Sequence, residues 1–181
     1  LVTVSENLSN GRGVHDALVH ELLHAATARL VTNPKTELQK QAVAALDTYI
    51  ERSRQYLGLL ENRNEDRMEF LKGIAEKEAS TASESKMRGY IQKSDSIESA
   101  KYREDLSADE VQELFATVRA DDLGINDEFN HVRNTKYALG YDITLGYDNV
   151  NPLRARKEFV THLMTDQKFQ WFLKEVDKLS A

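Results

Sequence analysis

Five residues near the start of the chain, His20-Glu21-Leu22-Leu23-His24, combine the side-chain types and the spacing that metal-assisted hydrolysis needs. Residues four apart lie on one face of a helix, so His20 and His24 can offer imidazole nitrogens to one tetrahedral ion. Glu21 sits one position round from His20, beside such an ion without ligating it, where a carboxylate can take a proton from a water that the ion has activated. Zinc brings the pKa of that water towards ~7, which makes hydroxide available near neutral pH. Val19, Leu22, Leu23, Ala25 and Ala26 surround the pattern with apolar side chains, whereas an accidental histidine pair is expected among polar neighbours. The readings without chemistry are a solvated histidine pair with Glu21 as an ordinary helix charge, or a buried and inert pair.

A catalytic zinc site takes three protein ligands and keeps one position for water, so a further ligand must come from elsewhere in the chain. The spacing H-x-x-G-x-x-H does not continue the pattern, because Thr27 stands at the glycine position and Leu30 at the histidine position. Glu158 is the foremost candidate: Leu153 to Val160 reads as a helix that can bring one carboxylate to the site, with Phe159, Leu163 and Met164 as its core residues. His162 follows four residues later on the same face, as a partner of the ligand or a competing ligand, and Asp142 and Asp148 are further candidates. A solvated charge beside Arg156 and Lys157 is the plain alternative for Glu158. Hydrolysis through a tetrahedral intermediate also needs a donor for the oxyanion. Tyr137, Tyr141, Tyr147, His131 and His162 are available; Tyr137 or Tyr141 would serve if the surrounding Gly/Tyr segment folds over the cleft, and Tyr141 is taken as the catalytic candidate beside Glu21. His15 reads as a capping or surface residue.

The elements that must position these residues are mostly helices. Val14 to Thr32 has apolar residues at helical spacing and so little room for a solvated face that a central, buried helix is expected. A second amphipathic stripe follows Pro34 to about residue 60, and residues 62–105 read as a polar helical insertion with a loop near Ala79 to Ser85. Ser107-Ala108-Asp109-Glu110 is a capping box that opens a helix ending near Gly124. Asn151-Pro152 opens another, and Thr165 or Asp166 caps a last one to about residue 179. Leu1 to Val4 reads as a short strand, and Tyr137 to Asp148, where glycines and aromatics alternate with polar residues, reads as a hairpin or ordered loop. The expected class is therefore α+β and predominantly helical, with a small β element packed on the active-site helix, in one domain over residues 1–181.

Composition narrows the chemistry. The chain has 181 residues, 24 Lys+Arg against 30 Asp+Glu, a net charge of -6 and no cysteine. No disulfide, thiolate metal site or cysteine nucleophile is possible, so a metal site must use the five histidines and the carboxylates. An acidic balance supplies no excess of cations for phosphate backbones, and nucleic acid is not expected as a partner. No apolar run approaches the roughly 18 residues that cross a bilayer, and the first residues lack the features of a signal peptide. The expectation is a cytoplasmic or virion-associated chain that neither inserts in a membrane nor is secreted. It begins with Leu rather than Met, which suggests a processed product or part of a larger polypeptide.

Leu18-Val19-His20-Glu21-Leu22-Leu23-His24-Ala25-Ala26-Thr27, with the later Lys157-Glu158-Phe159-Val160-Thr161-His162 and Asp166-Gln167-Lys168-Phe169-Gln170, resembles the zincin metallopeptidase domains embedded in large phage and mobile-element polyvalent proteins. The likeness covers about the first 30 and the last 35 residues. It implies a gluzincin-like site with one Zn²⁺, His20, His24 and Glu158 as ligands, Glu21 as general base, and a protein or peptide substrate. It also implies that the N-terminal strand offers an edge to an extended peptide. Thr161-His162 and Asp166-Gln167-Lys168 depart from the family's pattern of a small residue then an acidic one, and of Asn-Pro-Glu. The alternatives are a zincin scaffold without turnover that serves as a structural or interaction module, and a metal hydrolase acting on another amide.

Overall fold

The computed structural model describes residues 11–142 and 149–179, with side chains from residue 17 onward. Among the described residues the order is α1 (Gly11–Thr32), α2 (Glu37–Thr81), α3 (Glu84–Ile91), a 3₁₀ turn (Ile97–Lys101), α4 (Ala108–Asp122), α5 (Ile125–Ala138), α6 (Pro152–Thr165) and α7 (Gln167–Leu179). No described helix is long and apolar enough to cross a membrane.

The expected α+β class is corrected to an all-helical one: among the described residues there is no strand, only an isolated antiparallel bridge between Tyr141 and Val150. Leu1 to Val4 and residues 143–148 lie outside the described residues. Of the segment expected as a hairpin or ordered loop, Tyr137 and Ala138 instead form the last turn of α5, where Thr135, Ala138 and Leu139 at helical spacing are buried, and Leu139 to Asp142 follow it without forming a strand. Gly140 ends that helix with φ at 87°, its N–H bonded to the Tyr137 carbonyl, and its own carbonyl accepts the Asn151 N–H. Asn151 then caps α6 through its side chain, with Pro152 at the first helical position.

The chain forms two compact units, residues 1–60 with 133–181, and residues 61–132, whose boundaries fall within α2 and α5. The expected helical insertion at 62–105 lies inside the second. That unit packs Ala79, Met87, Ile91, Val111, Phe115 and Val118 into a core, and the Ser107–Glu110 capping box is present at the start of α4. Gly58 and Gly73 do not break α2, which runs for 45 residues where separate patches were expected, and the break expected near Ala79 to Ser85 falls at Ala82 and Ser83.

The first unit carries the candidate chemistry. Its core is an aromatic row in which Phe159 meets Tyr49 and Phe169 edge-on, with ring centroids 5.7 and 5.2 Å apart, and Phe169 stacks on Phe172. Arg156 of α6 gives two hydrogen bonds of 2.7 Å to the Asp47 carboxylate of α2 and a third to the Val31 carbonyl at the end of α1, which fastens three helices at one guanidinium. Arg54 donates twice to the Leu139 carbonyl beyond the end of α5. α1 packs on α6. It is not the buried central helix its composition suggested: Leu18, Leu22 and Leu30 are 40, 62 and 44% exposed, because α6 covers only the side that carries His20, His24 and Val31.

Gly140 is the tightest joint in this unit, since a Cβ there would lie 2.5 Å from the Ala155 Cβ and 2.9 Å from the Asn151 carbonyl oxygen. Gly124 has a similar φ of 99°, but a Cβ there would meet only Asp127 Oδ2, at an ordinary contact distance of 3.8 Å. Urea unfolding is therefore expected to show that Gly124→Ala costs about 1–2 kcal/mol, the backbone term alone. Gly140→Ala should cost more, by about 1–3 kcal/mol, because the Asn151 turn and α6 must shift. Equal costs would contradict this packing account.

Candidate metal centre

One turn of α1 and one turn of α6 face each other, and each contributes a pair of residues four apart. Glu158 Oε2 of α6 is 3.2 Å from His24 Nε2 and 3.6 Å from His20 Nε2, and the two Nε2 atoms are 3.1 Å apart. His162 brings a third imidazole, its Nε2 4.0 Å from the same oxygen and its ring edge-on to His20 with centroids 5.4 Å apart. The Glu158 side chain is only 9% exposed, and Oε2 has no hydrogen-bond partner. Burying a carboxylate oxygen without a donor is costly and therefore rare in folded proteins. A cation between this oxygen and the imidazole lone pairs removes the cost.

Two sets of three ligands compete on geometry. His20, Glu158 and His162 can each offer one atom within 4.8 Å of the others. Ligand atoms on a tetrahedral ion with zinc-like bonds stand about 3.3–3.4 Å apart. The His20, His24 and Glu158 atoms, with separations of 3.1, 3.2 and 3.6 Å, bracket that value, whereas the 4.0 Å from Glu158 to His162 exceeds it. By these separations either set could hold a small divalent cation, and the set with His24 lies nearer to tetrahedral spacing than the set with His162.

Neighbouring groups hold this arrangement. Tyr137, from the last turn of α5, is hydrogen-bonded to the Glu158 carboxyl group. Because Oε2 has no such partner, the bond falls to Oε1 and leaves Oε2 for the centre. Burial, and then the charge of Glu158 and this bond, push the Tyr137 hydroxyl up, while Arg154, whose guanidinium stands 5.3 Å from the centre of the tyrosine ring, opposes. His162 is held from its other side, with Nδ1 3.4 Å from Asp166 Oδ2. Asp166 Oδ1 accepts the Lys168 and Phe169 N–H groups and so caps α7. Burial raises the Asp166 carboxyl, but the bonds from His162, Phe169 and Lys168 outweigh it and leave the group below the ordinary carboxylate range.

Glu21 is exposed on α1, on a cleft of about 860 Å³ that His20, Asn134, His162, Asp166 and Lys168 also line. The structure thus brings His20, Glu21, His24, Glu158 and His162 together. It places Asp142 elsewhere, 3.6 Å from the Arg154 guanidinium. Tyr141 follows Gly140 at the bridge to Val150, its N–H on the Lys136 carbonyl, and the tyrosine that reaches Glu158 is Tyr137. His131 is buried in the unit of residues 61–132. Tyr147 and Asp148 lie outside the described residues, as does the side chain of His15. Sequence reasoning missed Asp166 as the support of His162, although the run Glu158, His162, Asp166 at four-residue spacing was there to be read. No family model, curated protein or solved structure matches the chain.

The histidine cluster makes the metal-free protein acid-sensitive. Burial, followed by the like charges of His162 and His24, lowers the His20 pKa from its ordinary value of 6.5, against the opposing pull of Glu158 and Glu21. A depressed folded pKa means that the unfolded chain binds the proton first, so stability is full above the unfolded pKa and is lost as pH falls towards the folded one. Thermal melts in chelator are expected to show a lower Tm at about pH 5.5 than at about pH 7.5. His20→Gln should flatten that slope; an unchanged slope would contradict the assignment to His20.

Proposed function

We propose that this chain is a zinc-dependent metallopeptidase whose ion is held by His20, His24 and Glu158. The observation that carries the proposal is the buried Glu158 Oε2, without a hydrogen-bond partner, facing two imidazole nitrogens at the separations of a tetrahedral ion. Bound zinc supplies Lewis acidity, which polarises a substrate carbonyl and makes a water a usable nucleophile near neutral pH. Glu21, exposed on the cleft side of α1, takes the proton from that water and returns it to the leaving amine. His162, with Nε2 4.0 Å from Glu158 Oε2, is the donor for charge that develops on the substrate oxygen, while Tyr137 keeps its hydroxyl proton on the Glu158 carboxylate. The proposal keeps the likeness to the metallopeptidase domains of phage and mobile-element polyvalent proteins as a statement about activity. The β element of that family is not part of it.

A cleft of about 860 Å³ that reaches His20, Glu21 and His162 supports turnover over a scaffold that merely retains the metal ligands. Asn134, Gln167 and Lys168 line this cleft and bring hydrogen-bonding groups for a peptide to it.

Metal analysis and digestion of a labelled general protein substrate test the proposal. The natural sequence is expected to carry one zinc and to cleave the substrate; Glu21→Gln should keep the zinc and lose about 10²–10⁴-fold in kcat. His24→Ala should lose the zinc itself. A chain that binds no zinc, or a Glu21→Gln variant as active as the natural one, overturns the reading.

A further inference from the structure

Thr161 stands on α6 between Glu158 and His162, and its side chain is fully buried against α1. Its Oγ1 is 2.9 Å from the Lys157 carbonyl oxygen and 3.3 Å from His24 Nδ1. A hydroxyl has one proton, and a carbonyl can only accept, so Thr161 donates to Lys157. Towards His24 the hydroxyl oxygen can then only accept, which requires the proton on Nδ1. A neutral imidazole carries a single N–H, and Nε2 is left with its lone pair turned to Glu158 Oε2 and His20.

We infer that Thr161 is a positioning residue that holds His24 in the Nδ1–H tautomer, so that its ligating nitrogen is set before a metal arrives. This rests on the proposed role of His20, His24 and Glu158. The competing arrangement is plain from the distances. With the proton on Nε2, His24 would donate to His20 Nε2 at 3.1 Å, which engages the two nitrogens that a cation needs and leaves the Glu158 oxygen orphaned. The Thr161 hydroxyl opposes that state, because it leaves a part-buried Nδ1 lone pair facing an oxygen whose only proton is already engaged. Sequence spacing joins the two functions: Glu158 and Thr161 are three apart on α6, so the helix that brings the carboxylate also brings the group that orients the opposing histidine.

Long-range ¹⁵N imidazole spectra of the metal-free protein read the tautomer directly, and zinc titration reads its consequence. His24 is expected as the Nδ1–H form in the natural sequence and in Thr161→Ser, and to shift towards Nε2–H in the isosteric Thr161→Val. The zinc Kd should weaken about 10–100-fold in Thr161→Val and stay within about threefold in Thr161→Ser. Thermal melts of the metal-free variants check that the fold is kept, and should the valine variant fail to fold, the tautomer of the natural protein still decides. His24 found as Nε2–H in the natural protein, or a valine variant with unchanged tautomer and affinity, overturns the inference. If the natural protein binds no zinc while His24 is Nδ1–H, the metallopeptidase reading fails and the role of Thr161 stands.

Discussion

The Glu158 carboxylate is 9% exposed, is approached by the Nε2 atoms of His24, His20 and His162, and carries one oxygen without a donor. A buried carboxylate oxygen without a donor is costly, and a cation seated between it and the imidazoles would pair with the carboxylate and use their lone pairs.

Everything that sustains this cluster passes through α6. Phe159 is buried in the aromatic row with Tyr49 and Phe169. Arg156 reaches α2 and the end of α1, Glu158 and His162 face the cluster, and Thr161 touches His24. A 14-residue helix thus divides its faces between core, fastening and site. The glycine joint at Gly140 and the Asn151–Pro152 start set where that helix begins, and Asp166 ends it while capping α7 and bonding His162. The register of four side chains against α1 therefore depends on two turns that contain none of the chemistry.

How far this was legible in the residues differs between its parts. The His20/Glu21/His24 spacing is a property of one helix, and one helix is what local pattern specifies. Glu158 could be singled out because its helix was clear from Asn151-Pro152 onward, but its distance to His24 could not. The apolar content of α1 was misleading, since burial depends on how many neighbours a helix acquires, and α1 leaves Leu18 and Leu22 to solvent. The Gly/Tyr segment suggested a hairpin because its glycines and aromatics were weighed above the buried spacing of Thr135, Ala138 and Leu139. Of the two tyrosines offered there, Tyr137 and Tyr141, the last turn of α5 presents Tyr137 to Glu158.

By itself the sequence settled which atoms could do chemistry: an absence of cysteine confines ligands to histidines and carboxylates, and a four-residue interval places two imidazoles on one helix face. Only the tertiary structure decided which carboxylate meets them, which tyrosine and threonine support it, and which side of α1 is covered. The physical reason is that periodicity acts along a single helix, whereas the separations of about 3–4 Å that define a metal site are set by the packing of α1 on α6, over 130 residues apart in the chain.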